Sequence, residues 1–321
     1  MNIGIACSKD YLFLYKTMLR SLVENNKKYK NEIIVYFLNS DLNSSEIDKF
    51  STWCNSIGLN LKYIFVDSNI FPDDICFSKS AVNSIAAYYR LLFPFLVPND
   101  VDRLLYLDGD IIINGTIDDL YEIDFMDNLI VAAPDVFCFS GFEKVNGRIG
   151  LPKDYVYFNS GMLVFNISAL RNEFSLSDVF QCARSIQDNM LMGDQDILNC
   201  LCKNRVMYVP MLKYNFQVIW QTTNADEAFL LIHDTRIIHF LYKRKPTNYL
   251  YANDLKKLFW KYARMNGCYG KFFVFFIINS IFTALWSIYV RVKHLEKDCA
   301  IDYLAFEKLG AIERTGKNNE C

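Results

Sequence analysis

The chain has 321 residues, is 52% apolar and carries a net charge of −2, so it can form one large folded domain with additional elements. This composition excludes a generally disordered chain, and the near-neutral total excludes a chain built to coat nucleic acid. The charge is divided along the chain, because residues 1–242 carry a net −9, residues 243–297 a net +9 and residues 298–321 a net −2.

The cysteines and the first residues bear on the cellular compartment. The ten cysteines are scattered and form no C-x-x-C pair, the spacing expected of a zinc knuckle, so reduced thiols are predicted. Met1–Ala6 is a short strand-like run without the basic segment or cleavage site of a secretory signal. Both features predict a cytoplasmic protein.

The first half of the chain alternates between two kinds of segment. Short runs rich in β-branched and aromatic residues are followed by segments of helical period, which is typical of an α/β domain with a mostly parallel sheet. Asn43, Ser44 and Ser45 are candidates to cap a helix that runs through Ile57. The other predicted elements of this opening β-α-β-α-β series are strands at Ile3–Cys7, Ile33–Leu38 and Leu61–Val66 and a helix at Tyr11–Glu24.

The alternation continues through the second half of the domain. Further elements are predicted as helices at Ala81–Phe95 and Leu176–Ile186 and as strands at Arg103–Leu107, Ile130–Pro134 and Met162–Asn166. A last helix is predicted to run to Cys202, and the acidic side chains of Gly193–Asp196 are expected to cap its N-terminus, where they suit the helix dipole.

Residues 248–297 differ in character from the domain before them, and residues 298–321 form a polar tail. The predicted helix Asp254–Asn266 has a basic face opposite an aromatic face. Phe272–Val290 contains no charged residue and approaches the length needed to cross a bilayer core of about 30 Å. A membrane-associated segment over 254–293 is therefore predicted, in the plane of the membrane rather than across it, with a buried helix of the domain as the alternative. The basic residues of the first helix are Lys256, Lys257, Lys261 and Arg264.

Asp108 and Asp110 follow the apolar strand Arg103–Leu107, at the edge where open α/β sheets bind ligands. Two carboxylates there are hard oxygen ligands suited to Mn²⁺ or Mg²⁺, and a divalent cation can hold a diphosphate. Gly109 between them allows backbone or ligand to approach closely. D-x-D is also common in solvated turns, but the apolar residues on both sides of this motif favour a ligand site.

Besides the D-x-D motif, five motifs occur in order along the chain. They are Met1–Ala6 with Ser8, Asp10 and Tyr11, then Tyr89-Arg90-Leu91 with Pro94, then Phe158–Asn166, Gly193–Asn199, and His239 with Lys245-Pro246. In this order they resemble glycosyltransferase family 8 of the bacterial lipopolysaccharide and capsule type. The resemblance covers residues 1–247 and implies a GT-A fold, a single Rossmann-like nucleotide-binding domain with a mixed, mostly parallel central sheet. Ser8, Tyr242 and Thr247 depart from the pattern, since the family has an acid, a glycine and a tryptophan at these positions.

The resemblance implies a metal and diphosphate site. Asp108, Asp110 and His239 would ligate Mn²⁺, with Mg²⁺ as the alternative, and Lys245 would contact the diphosphate beside Gly109. By itself, a histidine at the end of an apolar run is more often a core residue. Lys245, in the basic run Lys243–Lys245, is alternatively a charge that faces a membrane.

The resemblance also implies the donor pocket. Ala6, Ser8, Asp10 and Tyr11 would line the uracil and ribose site, and Arg90 would contact the sugar or phosphate of the donor. Helix capping is the alternative role for Ser8 and Asp10, and a surface ion pair is the alternative role for Arg90.

Asn159, Asp194 and Gln195 would bind the donor sugar and act in catalysis. An amide is a poor nucleophile, so the retention of configuration typical of the family favours attack on the same face of the sugar. Gln195 would then steady the oxocarbenium-like transition state while Asp194 orients it. A covalent route through Asp194 remains an alternative.

These features predict a retaining hexosyltransferase. It would move galactose or glucose from UDP-galactose or UDP-glucose to a lipid-linked acceptor of a lipopolysaccharide, capsule or glycoprotein glycan, while peripheral or monotopic on the inner face of the cell membrane. A dehydrogenase or P-loop enzyme is disfavoured because G-x-G-x-x-G and G-x-x-x-x-G-K-[ST] do not occur. Ser8 and Tyr242 keep a catalytically silent sugar-nucleotide-binding scaffold as an alternative, and a D-x-D phosphatase is a weaker one.

Overall fold

The computed structural model describes residues 1–75, 84–136, 146–218, 232–241, 244–248 and 255–293, without the side chains of 283 and 286–293. Tyr242, the first residues of the helix predicted at Ala81–Phe95, and the tail at 298–321 lie outside the described residues. The chain divides into two compact units. The first comprises Met1–Tyr15, Val23–Gly109 and Thr116–Val209, and the second comprises Lys16–Leu22, Asp110–Gly115 and the chain from Pro210 onward.

The described strands form two sheets. They are β1 Asn2–Ala6, β2 Ile33–Asn39, β3 Leu59–Phe65, β4 Arg103–Leu107, β5 Ile111–Ile113, β6 Ile130–Pro134, β7 Phe158–Asn166, β8 Val206–Tyr208, β9 Phe216–Val218 and β10 Ile237–Phe240. The first unit holds a seven-stranded sheet in the order β3-β2-β1-β4-β7-β6-β8. Only β7 in this sheet runs against the others, pairing antiparallel with β4 and β6. The prediction of a mixed, mostly parallel sheet is confirmed.

The described α-helices are α1 Leu12–Asn25, α2 Ser44–Ser56, α3 Phe93–Leu96, α4 Asp118–Tyr121, α5 Ile167–Glu173, α6 Leu176–Ile186, α7 Asp194–Cys202, α8 Met211–Tyr214, α9 Lys256–Met265 and α10 Tyr269–Lys293. The predicted cap of α2 is confirmed, because Asn43 and Glu46 form a reciprocal capping box. Where one helix was predicted over 81–95, the structure has a 3₁₀ helix at Ile85–Leu92 followed by α3. Pro94 explains the break, since it has no N–H to continue α-helical hydrogen bonding and fits only in a first turn.

The hydrophobic core of the first unit is formed by the central strands and by the helices packed on them. Leu104–Leu107 of β4 are fully buried, and β7 is buried along nearly its whole length. A strand covered on both faces has a continuous apolar sequence rather than an alternating one, which is why Arg103–Leu107 could be located from sequence. Asp108 follows the buried C-terminal end of β4 directly, so the strand fixes its position.

The second unit contains a smaller sheet in the order β5-β10-β9. Strand β10 pairs antiparallel with β5, so that His239 lies opposite Ile111, and it pairs parallel with β9. This sheet was not predicted, because its strands have only three or four residues each. The pairing of β10 on both sides fixes the direction in which the His239 side chain points.

Helices α9 and α10 pack on each other within the second unit. The Trp260 ring stacks on Phe275, with ring centroids 5.2 Å apart. Lys256 is fully buried, so its placement on a basic surface face was wrong; its amine donates a hydrogen bond to the Asn248 carbonyl. One face of α10, with Phe275 and Asn279, is buried. Its other face exposes Tyr269, Phe273, Val274, Phe276, Ile277, Ile281 and Leu285. Among the residues that the structure describes, no helix is both long enough and apolar enough to cross a membrane.

Candidate functional site

Asp108 lies directly beyond β4 and is fixed by three contacts. Its backbone N–H donates to the Gly161 carbonyl at 2.8 Å, and its Oδ1 accepts the Tyr106 hydroxyl at 2.6 Å. The same oxygen lies 3.1 Å from Nη2 of Arg90. At Gly109, an added Cβ would lie 2.8 Å from a ring carbon of Tyr15, so a larger residue would displace that ring. The group that approaches the Gly109 backbone closely is therefore the Tyr15 ring.

Arg90 is the centre of a buried charge cluster in the first unit. Its side chain bridges two carboxylates, with Nε 3.0 Å from Asp194 Oδ2 and Nη2 3.1 Å from Asp108 Oδ1. Nη1 donates to the carbonyl and hydroxyl of Ser160, and the guanidinium lies 4.6 Å from the centre of the Tyr106 ring. Arg90 is only 6% exposed, which excludes the surface ion pair. Burial lowers the pKa of Arg90, but the two carboxylates raise it more.

Asp194 is a buried carboxylate whose protonation is finely balanced. It is 3% exposed and accepts a hydrogen bond from the Ser160 hydroxyl at 3.1 Å. Burial raises the pKa of Asp194 to about 6, because the opposing effect of Arg90 is partly cancelled by the charge of Asp108.

Asp194 and Asp196 lie in the first turn of α7, where they suit the helix dipole as predicted, but the N-cap position itself is not acidic. Gly193, with φ of 62°, is the N-cap, and there is no side-chain capping bond. The carboxylate of Asp196 instead accepts the backbone N–H groups of Leu191 and Met192, both at 2.8 Å. Asp196 thereby fixes the turn that precedes Asp194.

Gln195 and Asn159 belong to a second buried cluster, together with Asp135. Asp135 Oδ2 accepts from Asn159 Nδ2 at 3.0 Å and from Gln195 Nε2 at 3.1 Å. The Gln195 amide oxygen accepts the backbone N–H of Ser160 at 2.9 Å. The orientation of this amide is therefore fixed at both ends. Sequence reasoning missed Asp135, although it directly follows strand β6 as Asp108 follows β4.

The predicted base and ribose residues lie at the end of β1. The Ala6 carbonyl accepts the Tyr15 hydroxyl at 2.9 Å. Ser8 precedes a 3₁₀ turn at Lys9–Tyr11 without a side-chain capping bond, so capping is not the role of its hydroxyl. Asp10 and Tyr11 are exposed. Their roles in binding the donor stay predictions.

Asp110 is the carboxylate of the second unit. It is 8% exposed, and its two oxygens lie 3.3 Å from His239 Nε2 and 3.3 Å from Lys245 Nζ. The Phe240 N–H donates to the Asp110 carbonyl at 3.0 Å, which ties this residue to β10. Burial raises the pKa of Asp110, but Lys245 and His239 outweigh burial and lower it. Asp110 is therefore held as a carboxylate.

The chemistry of these side chains fits a divalent cation. His239 Nδ1 lies 3.0 Å from the Asn215 amide oxygen, which only accepts, so with a cation bound to Nε2 the ring would carry its proton on Nδ1. Nε2 lies 3.3 Å from a carboxylate oxygen of Asp110, and a cation there would be bound by both atoms. Asp108 precedes Asp110 by two positions, and among the described residues Asp108, Asp110 and His239 form a group that could hold a metal ion. Oxygen and imidazole ligands suit Mn²⁺ and Mg²⁺.

Comparison with known proteins identifies related sequences. A family model described as glycosyl transferase family 8 matches residues 2–249. The glycosyltransferase GlyF of Streptococcus pneumoniae serotype 4 is 24% identical over 267 residues, which are 83% of this chain and 62% of that relative. The chain thus spans about six-tenths of the length of this relative. A lipopolysaccharide 1,2-glucosyltransferase of Escherichia coli is 24% identical over 271 residues, covering 80% of this chain and 77% of the relative.

Comparison with solved structures addresses the fold. The galactosyltransferase LgtC, crystallised with donor and acceptor sugar analogues, superimposes with a TM-score of 0.68 at 22% sequence identity, covering 83% of this chain and 96% of that chain. The predicted GT-A fold with a mixed central sheet is confirmed.

Proposed function

The chain belongs to glycosyl transferase family 8, and from this premise we propose that it transfers galactose or glucose from a UDP-sugar to a cell-surface glycan with retention of configuration. The observation that carries the proposal is the pair of side chains that contact the Asp110 carboxylate. One carboxylate lies beside both a histidine, with its metal-binding nitrogen turned inward, and a lysine suited to a diphosphate.

Asp108, Asp110 and His239 would hold Mn²⁺ or Mg²⁺, which when bound stabilises the negative charge of the departing UDP. Lys245 adds a positive charge at the diphosphate. Ala6, Ser8, Asp10 and Tyr11 bind the uracil and ribose. The exposure of Asp10 and Tyr11 supports this role, since both side chains can meet a ligand.

Asn159, Asp194 and Gln195 bind the donor sugar. Hydrogen bonds at both ends of the Gln195 amide preorganise it, so it stabilises developing positive charge without reorganisation during the reaction. Asp194 is paired with Arg90, which favours an orienting role over a nucleophilic one. Attack on the same face of the sugar then gives retention.

The acceptor is proposed from the relatives. The Escherichia coli relative is a lipopolysaccharide glucosyltransferase, which supports a lipopolysaccharide or other cell-surface glycan, linked to lipid, as the acceptor here.

We propose that residues 1–247 form the catalytic domain, that 248–297 attach it to the inner face of the membrane, and that 298–321 form a tail. The exposed face of α10 is almost entirely apolar, while its opposite face packs on α9 through Phe275. A helix packed along one side favours lying in the membrane interface over crossing it. Lys261, Arg264 and Lys271 supply charges for anionic headgroups.

A donor screen tests the catalytic proposal. Purified protein is incubated with the common UDP-sugars and Mn²⁺, and UDP release is measured. We expect release from UDP-galactose or UDP-glucose that Asp108→Ala abolishes and that Asp48→Ala, an exposed aspartate on α2, leaves intact. A silent scaffold would bind UDP without turnover, and a phosphatase would release inorganic phosphate from monoesters with Mg²⁺.

Sedimentation with vesicles tests the membrane proposal. Full-length protein should sediment with vesicles containing phosphatidylglycerol, and Phe273→Glu with Ile277→Glu should prevent this, because charge is costly in the acyl region. Exposed Lys49→Met serves as the control. Sedimentation of the double variant at the wild-type level would contradict the attachment.

A further inference from the structure

We propose that Lys256 and Trp260 of α9 are positioning residues for the diphosphate site. They hold the loop that carries Lys245 through two of its backbone carbonyl groups, those of Pro246 and Asn248. This inference rests on the proposed function, because it concerns the lysine expected to contact UDP. It goes beyond that proposal, since it makes a helix outside the family match at residues 2–249 part of the donor site.

Lys256 makes the first of these contacts. Its side chain is 0% exposed, and its amine donates to the Asn248 carbonyl at 2.6 Å. Lysine is almost never fully buried without a partner, because removing an ammonium group from water is costly. Burial, together with the smaller effect of the Arg244 charge, lowers the pKa of Lys256 to about 7. A leucine or methionine would fill this position without that cost, so the donor itself is what the position uses.

Trp260 makes the second contact. Its ring is fully buried, and the indole N–H donates to the Pro246 carbonyl at 3.2 Å. The ring also stacks on Phe275 of α10, which restricts its movement. Lys256 and Trp260 are four positions apart and therefore share one face of α9. That face presents two fixed donors to two carbonyls of the same loop.

The two contacts restrict the backbone next to Lys245, since Pro246 and Asn248 follow it in the same loop. The Lys245 amine lies 3.3 Å from Asp110 Oδ2, and its side chain is 36% exposed. A long lysine side chain loses conformational entropy when it binds an anion, and a fixed backbone reduces what remains to be ordered. Lys256 and Trp260 thus act on the nucleotide through the position of Lys245 without touching it themselves.

Binding of UDP in the presence of Mn²⁺, measured by calorimetry on the full chain, tests this inference without turnover. Lys256→Met should weaken UDP binding about tenfold, as expected for losing a buried hydrogen bond that orders the loop. Lys256→Arg should retain most of the affinity. Exposed Lys49→Met is the control for lost charge.

A second variant keeps the test valid if Lys256→Met does not fold. Trp260→Phe keeps the aromatic stack but loses the N–H, and it should weaken UDP binding about fivefold. In both variants KM for the UDP-sugar should rise while kcat changes little, whereas a general loss of folding would lower the active fraction and therefore kcat.

The decisive comparison uses Lys245→Met as the background. If Lys256 acts through Lys245, adding Lys256→Met to this background should cause little further loss of UDP affinity. Full additivity, or wild-type UDP affinity in folded Lys256→Met and Trp260→Phe, would overturn the inference and leave the proposed function intact. Failure of the wild-type chain to bind UDP with Mn²⁺ would overturn the proposed function itself.

Discussion

Asp194 and Asp110 are comparably buried, 3% and 8% exposed, yet their pKa values move in opposite directions. Burial raises the pKa of Asp194 to about 6, since the one cation at its side, Arg90, is shared with Asp108. Burial acts on Asp110 too, but Lys245 and His239 outweigh it and lower the pKa. The groups beside each carboxylate, rather than its depth, decide the direction in which its pKa moves.

This difference suits the proposed roles of the two residues. A metal ligand must remain a carboxylate across the physiological pH range, and the neighbours of Asp110 ensure this. Asp194 depends on Arg90 to stay charged near neutral pH. The first unit therefore contains a charge whose protonation can change, and the second contains one whose protonation is fixed.

The largest expected effect comes from removing the shared cation. Arg90→Met leaves Asp108 and Asp194 without their buried partner, which should cost about 3–5 kcal/mol of unfolding free energy at pH 7. Urea denaturation measures this. Arg184→Met is the control, because its ion pair with Asp74 is exposed and should contribute far less to stability than the buried cluster. An equal loss of unfolding free energy in the two variants would contradict the conclusion that Arg90 stabilises two buried carboxylates.

Asp194→Asn tests the raised pKa. A raised folded-state pKa means that the folded protein binds the extra proton, so this group stabilises the fold below pH 3.8 and that stability is lost as pH rises through about 6. The unfolding free energy of Asp194→Asn relative to wild type should therefore increase by about 2 kcal/mol between pH 4 and pH 7. A pH-independent difference would show that Asp194 titrates normally.

Asn215 tests how His239 is held ready for a metal. Asn215→Leu removes the acceptor for Nδ1, and Mn²⁺ affinity should fall about 10- to 100-fold, as for other partners that orient metal-binding histidines. Calorimetry with Mn²⁺ measures this directly. Asn215→Asp keeps an accepting oxygen and should retain most of the affinity, whereas equal affinity in all three proteins would contradict the proposed tautomer.

The smallest effect is expected at Lys245. Lys245 lowers the pKa of Asp110, and a lowered pKa contributes stability that is present above pH 3.8 and is lost as the pH falls through the folded-state value. Lys245→Met should remove part of it, about 1 kcal/mol at pH 7, because the partly exposed amine is screened by solvent. The difference from wild type should shrink below about pH 4 in urea denaturation. A difference that persists in acid would assign the loss to packing.

Much of this site could be predicted because its residues lie at the ends of strongly apolar strands. Strand β4 was predicted with its observed bounds, and Asp108 follows it; β6 was also located, but Asp135 beyond it was overlooked. The sharing of Arg90 between Asp108 and Asp194 could not be predicted, because Asp194 is about 100 positions from Arg90 and meets it only through tertiary packing.

Local rules failed where long-range contacts replaced them. The acids at the start of α7 were expected to cap it, yet Asp194 pairs with Arg90 and Asp196 accepts the Tyr157 hydroxyl, both of which are distant in sequence. Lys256 was placed on a solvated face because lysine is usually exposed, and the carbonyl of Asn248 that accepts it inside the fold is not visible as a pattern. The family resemblance supplied the His239 assignment, for which sequence pattern alone favoured a core residue.

The stack of Trp260 on Phe275 joins the helix with an apolar outer face to the loop that carries Lys245. Two binding events that tighten the same contact are thermodynamically linked, and the linkage is reciprocal. Any lipid that presses α10 onto α9 and so raises the affinity for nucleotide is itself bound more tightly, by the same factor, once nucleotide is present. On the roles proposed for α10 and Lys245, lipid and nucleotide would therefore each prolong the binding of the other.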